Sequence, residues 1–175
     1  MGTETDELVQ RLIVHFGLEP LAVEGGYYTR TYRSPETIPA SGLPARYREP
    51  HPLGGAILYL LTADADSFSA LHALPTDEIY HFYLGDPVEM LLLHPGGASQ
   101  RVILGQEIFA GQQVQFRAPA GAWQGSRLKR GGWFALLGTT MAPGYIDSDY
   151  TPGVRDELIR QFPGEAELIR ALTRG

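Results

Sequence analysis

The sequence predicts an all-β fold, a sandwich or barrel of short strands with a small helix before it and helices after it. Short runs of β-branched, aromatic and aliphatic residues recur from Tyr27 to Met141, punctuated by glycine and proline at sandwich or barrel spacing. No such run leads into a glycine-rich helix start, so neither a dinucleotide-binding unit nor a phosphate loop is supported. Only the two ends of the chain show helical spacing.

The totals agree. At 175 residues, 43% hydrophobic and 19% charged, the chain suits a single globular domain with a sizeable core. We expect a barrel over about 24–145 and C-terminal helices over about 153–173. Fourteen Lys plus Arg against 20 Asp plus Glu give a net charge of −6. With the basic residues dispersed, this argues against a nucleic-acid backbone or an anionic membrane as partner. The absence of cysteine excludes disulfides, thiolate metal sites and a cysteine nucleophile. MGTETDELVQ is acidic where a signal peptide is basic then apolar, and no apolar run approaches the roughly 20 residues of a membrane helix. The reading is a cytoplasmic protein. Met1-Gly2 does not open a myristoylation signal, because Asp6 stands where Ser or Thr is needed.

In chain order, Thr5 is the expected N-cap of a helix whose apolar residues Leu8, Val9, Leu12, Ile13 and Phe16 recur until Gly17 stops it. GGYYTRTYRS suits a strand with polar groups on both faces, lining a cavity or an interface, or forming an edge with a solvated face. Ser34 to Gly54 is a proline-rich loop, either a lid bringing Arg46 or Arg48 to a pocket or an arm covering a sheet edge; its His51 reads as structural. Ala56 to Thr62 and Val88 to His94 read as buried strands, and further short runs continue to WFALLGTTMAPGY. Val154 to Phe162 and Glu165 to Leu172, separated by Pro163-Gly164, read as helices packed outside the β body.

Candidate chemistry concentrates in SFSALHALPTDEIYHFYLG, Ser67 to Gly85, which carries His72, Glu78 and His81 beside Ser69, Tyr80 and Tyr83. With Pro75-Thr76-Asp77 as the turn, it reads as a hairpin that lets His72 and Glu78 face each other across paired strands. Alternation puts Glu78, Tyr80 and Phe82 on one face and Ile79, His81 and Tyr83 on the other. His81 then serves an interface or a second-sheet hydrogen bond rather than the site.

His72, Glu78 and Gly85, followed by Pro119 and Gly121, resemble the two motifs of the cupin superfamily, whose fold is a double-stranded β-helix or jelly-roll barrel. Leu74 and Gln124 stand where two of that superfamily's usual metal-binding histidines would be. A closer resemblance is to a small single-domain cupin subfamily of unknown function. EGGYYTRTYRS, SFSALHALPTDEIYHFYLGDP and PAGAWQ carry it, from roughly Leu18 to Phe162. The chain departs at Ala22-Val23, where relatives usually have His-Pro, and at Thr29-Arg30, where they usually have Arg-Glu. The resemblance implies a jelly-roll fold and a homodimer.

What remains is an imidazole and a carboxylate, His72 and Glu78. The expected reading is a barrel that binds a small polar metabolite, with His72 as base and Glu78 orienting it or acting as acid, as in an isomerase or epimerase. By analogy with metal-free cupin epimerases, Tyr28, Tyr59 or Tyr80 would be the acid. Ser69, Gln115 and Gln124 would hydrogen-bond the ligand, and Trp123 or Tyr80 would stack on it. No cofactor is assigned. A divalent metal, if bound, would use His72, Glu78 and Gln124, a set short of the ligands zinc or non-haem iron prefers. The alternatives are a metal-dependent enzyme with this reduced set and a non-catalytic binding protein.

Overall fold

The computed structural model describes residues 2–174. Helix α1 spans Gly2–Phe16. The helix runs back past Thr5, so Thr5 lies inside it rather than at its N-cap position. At the other end Gly17 takes φ +60°, and the Leu18 N–H donates to the Ile13 carbonyl at 2.9 Å. That is a glycine C-cap.

The strands are β1 (Glu19–Pro20), β2 (Tyr27–Arg33), β3 (Thr37–Ile38), β4 (His51–Pro52), β5 (Gly55–Thr62), β6 (Ser69–Ala73) and β7 (Glu78–Gly85). They continue with β8 (Val88–Leu93), β9 (Ser99–Leu104), β10 (Gln115–Ala118), β11 (Trp123–Leu128), β12 (Phe134–Met141) and β13 (Thr151–Pro152). Two antiparallel sheets result, ordered β1-β2-β5-β12-β7-β10 and β13-β6-β11-β8-β9, with β3 and β4 paired separately. Facing sheets of this kind form a jelly roll.

Between the sheets lies a core of Tyr59, Leu61, Tyr80, Phe82, Val88, Met90, Leu92, Val102, Leu104, Ala135 and Leu137. The run VEMLLL in β8 is apolar on both sides for a reason. Met90 and Leu92 face this core, while Leu91 and Leu93 face outward onto Leu158, Phe162, Leu168, Ile169 and Leu172. Those residues belong to or adjoin α2 (Arg155–Gln161) and α3 (Ala166–Ala171), which cover the second sheet from outside, as their spacing predicts. Burial of each leucine is worth about 1.5–3 kcal/mol. The outer face of the first sheet is covered in the same way, with Val9, Leu12 and Ile13 of α1 packing toward Leu60, Phe134 and Leu136.

β6 and β7 do not form a hairpin: β6 pairs with β11 and β13, whereas β7 pairs with β12 and β10. The residues 74–77 are a corner that carries the chain from one sheet to the other. His72 and Glu78 therefore approach across the space between the sheets, not along a ladder.

The loop from Ser34 to Gly54 is pinned down as an arm. Arg46 Nε donates to the Pro75 carbonyl at 2.8 Å, and the Tyr47 and Thr76 hydroxyls are 2.9 Å apart. His51 is fully buried, with one ring nitrogen 2.8 Å from the Glu49 carbonyl and the other 3.0 Å from the Asp149 carboxylate. The ring thus bridges the Glu49 carbonyl and the Asp149 carboxylate. The arm is thereby locked to the segment that follows β12. His51→Ala leaves the Asp149 carboxylate buried without its partner, and we expect a loss of roughly 3–5 kcal/mol. Urea denaturation measures it, as a lower midpoint with an unchanged slope.

Candidate functional site

At one end of the barrel the leucine core gives way to polar side chains from four places in the chain. The loop between β1 and β2 supplies Glu24, β6 supplies His72, β7 supplies Glu78 and the segment after β12 supplies Tyr145 and Tyr150. They line a cavity of about 200 Å³ together with Tyr28, Arg30 and Leu74, among others.

Gly25 and Gly26 bring Glu24 in. Both have positive φ, +111° and +68°, and a Cβ on Gly25 would lie 2.2 Å from the Phe68 carbonyl. Only glycine allows this approach. Across the gap, the register of β11 on β6 shifts between Gln124 and Ser126. A bulge re-aims side chains, and here Ser69 donates a hydrogen bond to a Glu24 carboxylate oxygen.

His72 is 2% exposed, and its hydrogen bonds decide its tautomer. Nδ1 lies 2.8 Å from the Ala70 carbonyl, which can only accept, so Nδ1 carries the proton. Nε2 lies 3.2 Å from the Gln124 amide nitrogen. That nitrogen also donates to Glu78 Oε2, which fixes the amide's orientation and makes His72 Nε2 the acceptor. One NH2 group therefore bridges imidazole and carboxylate, and through them the two sheets. The Glu24 carboxylate stands 4.0 Å from His72 Nδ1, and the Tyr150 ring stacks on the imidazole with centroids 5.0 Å apart.

Burial pushes the Glu78 carboxyl above its ordinary value and the Glu24 charge adds to the rise, while His72, Thr139 and Gln124 oppose it. Tyr80 donates to Glu78 Oε2 at 3.2 Å, and burial, then the Glu78 charge, raises its phenol well above the usual range. Burial raises Tyr59 likewise, with Glu24 the second cause. Tyr145, at the cavity wall, is pushed up to about 12 by burial and then Asp147.

The expected site residues therefore separate. His72, Glu78 and Tyr28 line the cavity, while Ser69 and Gln124 stand behind them and hold Glu24, His72 and Glu78. Tyr59 and Tyr80 belong to the core between the sheets, where Tyr59 donates to the Gly25 carbonyl at 2.8 Å. Gln115 is misplaced by the expectation. It is exposed on the outer face of the first sheet, opposite His81, and its amide nitrogen is 3.2 Å from His81 Nδ1. Trp123 is misplaced as well. Gln124 turns inward, so its neighbour turns outward, and Trp123 packs against the cluster formed with α2 and α3. His81 faces outward as alternation requires, with Nε2 2.9 Å from the Thr140 hydroxyl. Arg46 and Arg48 do not line the cavity; from the arm only Arg33 at its root and Pro52 do.

Glu24, Tyr145 and Tyr150 went unrecognised in the sequence. For Glu24 there was a signal, the paired glycines that follow it, which mark a close backbone approach. The two tyrosines follow the last long strand without periodicity, and only the fold brings them back.

A metal fits this arrangement poorly. The Gln124 NH2, a donor and not a ligand, lies between His72 Nε2 and Glu78 Oε2, where a cation would have to bind both. Among the described residues no group of three His, Cys, Asp or Glu side chains is placed to hold a metal.

A family model described as cupin superfamily (DUF985) matches residues 10–152. A crystal structure of a protein from Shewanella oneidensis is 28% identical, with a TM-score of 0.80 over 93% of this chain and 95% of that one. A hypothetical protein from Leishmania major is 24% identical, with a TM-score of 0.82 over 95% and 98%. A cupin 2 domain-containing protein from Halorhodospira halophila, 10% identical, shares the fold at a TM-score of 0.51 over 85% and 83%. No curated protein matches the chain.

Glu78 gives this site a pH signature. A carboxyl whose folded pKa lies above its unfolded value binds more proton when folded, so stability falls as pH rises from the unfolded value through the folded one, and stays lower beyond it. Glu78→Gln removes that loss. Its melting temperature relative to wild type should be higher at pH 8 than at pH 4, by scanning calorimetry across that range.

Proposed function

The chain belongs to the DUF985 family of the cupin superfamily, and from that premise we propose that it binds a small polar metabolite in the cavity and moves a proton on it, as an isomerase or epimerase does. The observation that carries this reading is a buried imidazole with its Nε2 lone pair free of a proton, set beside a carboxyl that burial and a second carboxylate make reluctant to ionise. Such a pair divides base and acid between two groups.

In this reading a substrate displaces the Gln124 amide from His72 Nε2 and presents a carbon-bound proton beside a carbonyl. His72 takes the proton on Nε2. The imidazolium that forms keeps its Nδ1 proton on the Ala70 carbonyl and gains the field of Glu24, 4.0 Å away. Glu78 gives its proton to the carbonyl oxygen, and Gln124 follows the carboxylate that is left. Tyr59 and Tyr80 lie in the core between the sheets with their hydroxyls on the Gly25 carbonyl and Glu78, and in this reading they act as scaffold rather than as the acid.

The second reading, a binding protein without chemistry, has an observation of its own: the lone pair needed for catalysis is already occupied by Gln124. The homodimer implied by the resemblance draws support from Ile79, Tyr83 and Leu84, apolar and exposed on β7. Light scattering at micromolar concentration tests it.

Ligands that raise the melting temperature in a screen of small metabolites are incubated with the protein in D2O. Deuterium should enter the bound ligand at carbon, and His72→Gln should slow its entry by about 10²–10⁴-fold. An exchange rate unchanged in that variant contradicts proton transfer, and a ligand returned unlabelled from wild type establishes the binding protein instead.

A further inference from the structure

The cavity is charged unevenly along its depth. At the buried end stand two carboxyl groups, Glu24 and Glu78, with Glu78 only 7% exposed. At the open end stand Arg30 and Arg33, both exposed, with Asp147 as the one acid beside them. Between the ends the walls are aromatic: Tyr28, Tyr145 and Tyr150.

Neither charged end is neutralised by the protein. Among the described residues no lysine or arginine lies within 4 Å of the Glu24 or Glu78 carboxylates, whose only basic neighbour at that distance is His72. His72 brings no cation, because its Nδ1 proton goes to the Ala70 carbonyl and its Nε2 accepts. Likewise Arg30 and Arg33 make no ion pair among these residues. Burial first and the Glu24 charge second raise Glu78, so the two carboxyl groups share a negative charge that no lysine or arginine among the described residues meets. A neutral polyol leaves that charge unmet and an anion is repelled by it. A cation pairs with it.

The structure assigns a ligand class on these grounds. We propose that the cavity takes a bipolar molecule, with a protonated amine or amidine set between Glu24 and Glu78 and a phosphate or carboxylate held at the mouth by Arg30 and Arg33. The inference rests on the reading above that this cavity is the ligand site. Its volume of about 200 Å³ equals the liquid share of about seven waters, so the enclosed part of the ligand is compact and the anionic end lies at the rim. The tyrosine walls suit such a body, since aromatic faces also attract cations.

The test uses the full chain and three probes, O-phosphoethanolamine, glucosamine 6-phosphate and 4-guanidinobutanoate. Each is titrated by calorimetry beside the partner that lacks its cationic group and the partner that lacks its anionic group. At least one bipolar probe should bind tenfold tighter or better than both of its partners, and the preferred probe tells an amine phosphate from a guanidinium carboxylate. Arg30→Ala with Arg33→Ala should reduce it to the affinity of the partner without the anion, and Glu24→Gln to that of the partner without the cation. Equal binding of a bipolar probe and its singly charged partners, or no bipolar probe bound, overturns the inference. Its failure is distinct from failure of the proton-transfer reading. A bipolar ligand that binds through these residues without taking up deuterium leaves the assignment standing, whereas a neutral ligand that exchanges removes the assignment and keeps the chemistry.

Discussion

The candidate site depends on one carboxamide. Gln124 reaches His72 from the neighbouring strand of its own sheet and Glu78 from the opposite sheet, using the same NH2 group. A buried carboxyl and a buried imidazole each cost several kcal/mol if left without partners. The amide meets part of that cost on both at once, and in doing so sets the distance between the sheets at the barrel's polar end. The arrangement is not free of loss. Gln124 Oε1 and Ser126 Oγ, on the same strand, are buried and have no hydrogen-bond partner among the described residues. Groups left in that condition are exceptions in folded proteins, and they concentrate where structure is held for function.

Everything else in the fold leaves this end open. The leucine and aromatic core fills the other part of the space between the sheets, α1 seals the outside of one sheet, and α2 with α3 seals the outside of the other. The arm from Ser34 to Gly54 covers the corner between β6 and β7. Through His51 and Asp149 it fixes the segment that carries Tyr145 and Tyr150 to the cavity. The strands β6, β7 and β11 thus hold His72, Glu78 and Gln124, and packed loops bring Glu24, Tyr145 and Tyr150 to them. Such preorganisation is what proton transfer or selective binding requires.

Much of this was legible in the sequence. Alternation along EIYHFYLG sorted Glu78 inward and His81 outward, and the helical spacing of the tail predicted helices on an outer face. What alternation cannot say is which sheet a strand joins, and so β6 and β7 read as a hairpin when a corner separates them. Two assignments were avoidable. Trp123 and Gln124 are neighbours on one strand and cannot both face the cavity, and Gln115 must oppose Phe116, which packs toward the core. Glu24, Tyr145 and Tyr150 were beyond periodicity, because loops and a pair of glycines, not a strand pattern, deliver them.

His72 is held with its proton on Nδ1 and its Nε2 lone pair turned to Gln124. The most direct measurement is a long-range 1H–15N correlation spectrum of the histidine side chains in the ligand-free protein at pH 7. For His72 the expected result is a protonated Nδ1 and an unprotonated, hydrogen-bonded Nε2. A proton on Nε2 would contradict it, since the Gln124 amide could then no longer join His72 to Glu78.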